Sequence, residues 1–330
     1  MTRLLLLALV ALALAPGTWI RSPRPAQVLD AGLVSVAIPV QQPRVGALEI
    51  EAMWKLSSEH SLFGGYSALV ALDGRTLLTA SDQGAALRIR LRDGRPGSGI
   101  MTRFGGASYF GEKSVSDLES LTLDRETGTI WAGYENLNAV IRMESDGTVQ
   151  AGAQPAQMED WPVNAGPEAI VRLRDGRFIV IAEGSWRWTP ANMDGLLFDS
   201  DPAEDAGTDA APDSATPFEF DAGEGYLPVD MAALPDGRVL ILVRSFEWGL
   251  PPMFRARLLV ADPADIREGE EWPWQEIARF TPPMQTDNFE GIAVWGDDYP
   301  VTLWMISDDN TAKFQNTLLL RMRWDGELPD

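Results

Sequence analysis

The sequence predicts an all-β protein folded as a single β-propeller, six blades preferred over five, closed by an N-terminal strand. Two observations predict it. A strand-turn-strand phrase ending in a polar residue recurs five times, and the recurrences are spaced as propeller blades are. The phrases open at Ser67, Glu119, Glu168, Asp230 and Glu290, so successive starts lie 52, 49, 62 and 60 residues apart. A sheet of three or four strands repeated about every 50 residues is a propeller pattern. A β-sandwich would not repeat one phrase five times.

The first unit runs through an apolar strand at 67–72, the turn Asp73-Gly74-Arg75, a strand at 76–80 and Asp82. The second has 119–123, a turn through Gly128, 129–134 and Glu135; the third has 168–173, Asp175-Gly176-Arg177, 178–182 and Glu183. The fourth reads 230–234, Asp236-Gly237-Arg238, 239–243 and Arg244; the fifth reads 290–294, a longer turn through Gly296-Asp297-Asp298, 301–307 and Asp308. Asp-Gly pairs between apolar runs are hairpin turns. Third strands follow at 87–91, 139–143, 196–198, 258–261 and 317–322. Ahead of the first unit, Val36, Ile38, Leu48, Ile50 and Met53 supply either a sixth blade or the outer strand that closes the ring.

Composition narrows the chemistry. The chain has 330 residues, 45% hydrophobic with 12 Trp, enough apolar surface for a folded core. Against 48 Asp plus Glu there are 27 Lys plus Arg, a formal net charge of −21, which excludes a nucleic-acid partner held by counterion release. There is no cysteine and one histidine, His60, so disulfides, thiolate chemistry and multi-histidine zinc sites are absent. Residues 1–22 read as a signal peptide or N-terminal anchor, with Arg3 before the apolar run 4–15. Residues 23–46 form a linker and first strand region, and 47–330 the propeller. The expected location is periplasmic or secreted, with the membrane touched only through a retained anchor, and the expected state is a monomer.

First strands of propeller blades line the central channel, so Glu119, Glu168, Asp230 and Glu290 are expected to converge at its mouth. Asp82, Glu135, Glu183, Arg244 and Asp308 fall 15, 16, 15, 14 and 18 positions after the phrase openings and form a second tier. Any one of these acids alone is more often the exposed end of a hairpin; recurrence at the same phase in four units favours a site for the set. Crowded together they repel, which calls for a bound cation, a cationic ligand or shared protons. Ca²⁺ suits them, since it takes about six to eight oxygen ligands in flexible geometry. The expected ligands are Glu119, Glu168, Asp230, Glu290, Asp308 and Asp309, with Asn288 and Asn310 in reach. Without a channel histidine, Glu135 or Glu183 acts as base. Arg244 either clamps a phosphate or carboxylate of the substrate or pairs with Asp230 or Glu290.

Five phrases carry a resemblance: 117–121 (DLESL), 166–170 (GPEAI), 240–246 (LILVRSF), 287–292 (DNFEGI) and 306–310 (ISDDN). They resemble the bacterial phytase-like, esterase-like repeat proteins over about residues 60–324. The resemblance implies an exported propeller with phosphoesterase or esterase activity on its acids. It matches Glu119, Glu135, Glu168, Glu183, Glu290, Asp308 and Asp309 to the family's acidic positions. Ser67 departs from the pattern, standing where the other units have an acid, and the fourth unit carries Asp230 and Arg244. The expected function is calcium-dependent hydrolysis of a phosphoester or small ester, ranked above phytate because a charge of −21 repels a highly phosphorylated substrate.

Two other classes stay open. A calcium propeller resembling lactonases and arylesterases would use Glu, Asn and Asp ligands, types that Glu168, Asn288 and Asp308 offer. A non-catalytic periplasmic binding module would present Trp161, Trp186, Trp188, Trp248, Trp272 and Trp274 from loops, unless these pack between blades. The stretch 199–213 lacks the EF-hand order and reads as a solvated acidic insertion. Gly64-Gly65 and Gly105-Gly106 read as turns.

Overall fold

The computed structural model describes residues 32–104, 117–162, 166–183, 193–204, 215–223, 225–247, 249, 253–282, 284, 286–310 and 315–329. Segment 1–22, Gly105-Gly106, Trp186, Trp188, Trp248 and the acidic insertion from 205 onward lie outside them.

Three strands precede the first repeat: β1 (Val34–Ile38), β2 (Arg44–Val45) and β3 (Leu48–Ser57). Blade 1 is β4 (Tyr66–Asp73), β5 (Thr76–Ser81), β6 (Ala85–Arg92) and β7 (Arg95–Arg103). Blade 2 is β8 (Leu118–Leu123), β9 (Thr129–Tyr134), β10 (Ala139–Glu144) and β11 (Val149–Ala153). Blade 3 is β12 (Pro167–Arg172), β13 (Phe178–Ala182), β14 (Met193–Phe198) and β15 (Ala215–Phe220). Blade 4 is β16 (Leu227–Ala233), β17 (Val239–Glu247), β18 (Met253–Ala261) and β19 (Trp274–Phe280). Blade 5 contains β20 (Asn288–Trp295), β21 (Val301–Asp308) and β22 (Thr317–Trp324). Every blade is an antiparallel meander, and in the fifth the order continues outward from β22 to β3 and β1, with β2 on β3.

The described residues therefore form five blades, where the sequence favoured six. The reason lies in pairing. A sixth blade needs an inner strand on the channel, but β3 hydrogen-bonds to the outer edge of β22 over Thr317↔Leu56 to Arg323↔Glu49. The inner strands β4, β8, β12, β16 and β20 pack side by side, and β20 returns to β4.

The turns form for local reasons. In Asp73-Gly74-Arg75, Asp175-Gly176-Arg177 and Asp236-Gly237-Arg238, each Asp carboxylate accepts the Arg backbone N–H at 2.6, 3.1 and 3.1 Å. Gly176 and Gly237 sit at φ +94° and +91°, where a Cβ would be strained. The strands are apolar on both faces because each blade is covered on both sides. Burial is divided among five clusters, one between each pair of neighbouring blades, such as Ile170, Phe178 and Trp131 between blades 2 and 3. Among the described residues no apolar cluster fills the axis, which leaves the channel mouth to the polar ends of the inner strands.

Candidate active site

One irregularity repeats around the ring. Each inner strand carries one extra residue against its partner, between Tyr66 and Ala68, Leu118 and Ser120, Pro167 and Ala169, Pro228 and Asp230, and Phe289 and Gly291. Such bulges re-aim a side chain out of the ladder. The extra residues are Ser67, Glu119, Glu168, Val229 and Glu290, so three of the five are glutamates. Across from them the second strands close with Asp82, Glu135, Glu183, Arg244 and Asp308, at matching positions in every blade. Both tiers expected from the repeat are present, with one displacement.

That displacement is Asp230. The residue equivalent to the three glutamates is Val229, and Asp230 lies one position on, where the side chain points the other way. It is fully buried and accepts the backbone N–H of Ile292 at 2.7 Å and of Met231 at 2.9 Å. Asp230 joins blade 4 to blade 5 and, through Leu69, to blade 1, and it lies outside the two carboxylate triads, within electrostatic reach of Glu290.

Carboxylate oxygens of Asp117, Glu119 and Glu135 lie within 4.8 Å of one another, and so do those of Glu135, Glu168 and Glu183. Glu135 belongs to both triads. Arg244 Nε stands 3.0 Å from Glu290 Oε1 and its Nη2 3.8 Å from Glu183 Oε1, so this arginine pairs inside the mouth. Asn288 Nδ2 donates to Glu290 Oε1 at 2.6 Å. Asp308 lies opposite Asn288 in the ladder and accepts the Asn310 backbone N–H at 2.8 Å. Asp309 is turned aside toward Gly65 N at 3.4 Å and Thr317 Oγ1 at 3.3 Å. Gly64, at φ +107°, allows this approach, since a Cβ there would stand 2.8 Å from Asp309 Oδ1.

The sequence reading did not single out Asp117, although its phrase contained it. Asp117 lies two residues before Glu119, and its carbonyl accepts the Glu135 N–H, which brings all three acids together. Asn136 Nδ2 donates to its carboxylate at 2.5 Å. Asp287 was also passed over; it ties Asn288 N and Asn316 N at 3.0 and 2.8 Å and so fixes the strand carrying Glu290.

Crowding and burial together raise these acids. Burial is the main cause at Glu119 and Glu168, which are pushed well above the carboxylate range, with further pressure from neighbouring carboxylates. Glu135 is pushed up to about 8 by burial, then by Glu183 and Asp117. Asp308 also rises to about 8, through burial and then Glu290. Burial raises Glu290 as well, with Arg244 opposing it. Burial disfavours charge on Arg244, but Glu290, Glu168 and Glu183 outweigh it and hold the guanidinium ionised.

Such a set suits a hard cation. The donors are all oxygens, and the Asn288 Oδ1, on a residue 2% exposed, has no hydrogen-bond partner. The channel's other end holds a cavity of about 410 Å³ bordered by Arg125, Arg172 and Arg174, away from these carboxylates. Trp161 and Trp272 are buried in interblade clusters and Trp274 packs against one, so these three serve packing. His60 Nδ1 accepts the Leu62 N–H at 3.2 Å and caps a turn.

Fold and mouth together define a five-bladed propeller with a carboxylate-lined channel. Residues 61–311 match the phytase-like family described as having the esterase-like activity of phytase, and the chain belongs to that family. No curated protein matches it. Among solved structures it is similar to a chain of a nidogen/laminin complex, at 12% identity, TM-score 0.41, covering 88% of this chain and 96% of that one. It is also similar to the major Malassezia sympodialis allergen Mala s 1, at 11% identity, TM-score 0.42, covering 88% and 95%. A third is the WD40 β-propeller domain of Doa1, at 9% identity, TM-score 0.39, covering 83% and 96%.

Proposed function

We propose that this chain is an exported, calcium-dependent hydrolase of a phosphoester or small ester, acting at the carboxylate mouth. The observation that carries the reading is the meeting of Glu135, Glu168 and Glu183 within 4.8 Å, beside an arginine paired to Glu183 and Glu290. Glu119, Glu168, Glu290 and Asp308 would hold the ion, with Asn288 Oδ1 as a neutral donor; Asp309 stands at the edge of this set. Bound there, calcium supplies Lewis-acid polarisation of the phosphoryl or carbonyl oxygen.

The protein's own groups do the rest. Glu135 accepts the proton of attacking water, since positive charge nearby returns its carboxyl toward the ionised form at neutral pH. Glu183, one-quarter exposed, is the alternative base. Arg244 turns its guanidinium to the developing negative charge, and its pairing with two carboxylates keeps it aimed. Export rests on Arg3 and the apolar run 4–15, and with it a periplasmic or secreted location. The pairing of β3 with β22 is read as the clasp that closes the ring.

Turnover of p-nitrophenyl phosphate, bis(p-nitrophenyl) phosphate, a short-chain ester and a lactone, with calcium and with excess chelator, tests this. Calcium-dependent turnover of a phosphoester or ester is expected. Turnover of the lactone alone favours the lactonase class, for which the free Asn288 oxygen also speaks. Silence across the panel leaves a binding module.

A further inference from the structure

Blade 4 departs from the others at the mouth. The second strands of blades 1, 2, 3 and 5 end at Ser81, Tyr134, Ala182 and Asp308, at or next to the second-tier residue. β17 runs three residues past Arg244, paired with β18 as Ser245↔Arg255, Phe246↔Phe254 and Glu247↔Met253. At about 3.3 Å per residue this hairpin stands about 10 Å beyond Arg244. β16 begins at Leu227, opposite Arg244, so among the described residues no inner strand flanks the extension and its inner edge borders the mouth.

Strand alternation puts Phe246 on the same face as Arg244, with Phe254 beside it on β18. That face looks toward blade 5. Below the mouth its Leu240, Leu242 and Leu258 pack with Ile292 and Val294, and Arg244 itself reaches Glu290. The Phe246 and Phe254 rings lie 5.0 Å apart between centroids, and Phe246 is 37% exposed. An ion pair of 2.9 Å between Glu247 and Arg255 fastens the two strands. An aromatic pair tilted at 51° and set above a charged mouth suits a ligand with an anionic head and a flat apolar substituent.

We propose that the Phe246–Phe254 hairpin is a specificity wall: it takes the aryl group of a substrate whose phosphate or carboxyl end lies at Arg244. The proposal rests on the reading of the mouth as an ester site and names its substrate class, aryl-substituted phosphoesters and esters.

Phenyl phosphate and methyl phosphate share a head group and differ in the substituent. Their dissociation constants on the full chain in calcium, measured by calorimetry, are expected to differ about tenfold in favour of phenyl phosphate. In Phe246→Ala/Phe254→Ala the ratio falls to about one. Should that pair of changes unfold the hairpin, Phe246→Ser alone gives the same readout. Methyl phosphate binding without a phenyl preference, or a ratio the variants leave intact, overturns the wall alone. Binding of neither phosphate overturns the ester-site reading and the wall with it. A concentration-dependent dimer that the variants abolish while the ratio persists assigns the patch to self-association and overturns the proposal.

Discussion

Asp230 and Glu168 are both buried acids on inner strands, and one residue of register separates their roles. Asp230 accepts the backbone N–H groups of Ile292 and Met231, with that of Leu69 also on its carboxylate, so Asp230→Asn leaves at least one of them short of an acceptor. A loss of about 1–3 kcal/mol in unfolding free energy is expected, by denaturant titration, with calcium affinity retained. Glu168→Gln should do the reverse. It removes a carboxylate that burial and its neighbours already disfavour, so the chelated protein keeps or gains melting temperature. Its calcium affinity should fall about tenfold or more, by calorimetry. Asp205→Asn/Asp209→Asn, in the acidic insertion, should leave that affinity as it is; a loss there with Glu168→Gln intact would move the site to the insertion.

At the scale of elements, the bulges and the glycines beside them decide how closely the blades meet. A Cβ at Gly291 would stand 2.8 Å from Ile306 Cγ2 and Leu69 Cβ and 2.9 Å from the Ala68 carbonyl carbon. Two of these contacts belong to blade 1, so Gly291→Ala forces β20 and β4 apart. It should cost about 1–3 kcal/mol, and because Glu290 is the adjacent bulge residue, calcium affinity should fall in the same variant. The strand-turn-strand phrases were legible because Asp-Gly turns and doubly apolar strands are local signals. The bulge was not: aligning the fourth unit by residue type put Asp230 where the ladder puts Val229. A one-residue insertion changes facing without changing composition.

For the molecule as a whole, the carboxylate mouth couples folding to pH. Glu135 and Asp308 rise from ordinary values of 4.5 and 3.8 to about 8, so folding takes up protons between those limits. The stability these groups allow is complete below pH of about 4 and is lost as pH rises through about 8. In excess chelator the melting temperature should therefore fall from about pH 5 to about pH 9. Calcium should remove that slope and, at 100 times its dissociation constant, add about 2.7 kcal/mol. A flat profile in chelator, with metal removal verified, would count against a shared site of protons and cation.

The repeat of one phrase, its spacing and its closing acids determined the propeller, the two tiers and the acids Glu119, Glu135, Glu168, Glu183 and Glu290, because hairpins and channel-lining strands are written in short-range patterns. Tertiary structure alone decided three things. Five blades close the ring, since apolar strands such as β1 and β3 carry no mark of which edge they will join. Asp230 turns to the backbone while Asp117 enters the cluster, since register and bulges are settled by pairing across blades. Arg244, for which the sequence left substrate, Asp230 and Glu290 open as partners, meets Glu290 and also Glu183, because those residues come from three different blades and only closure of the ring brings them together.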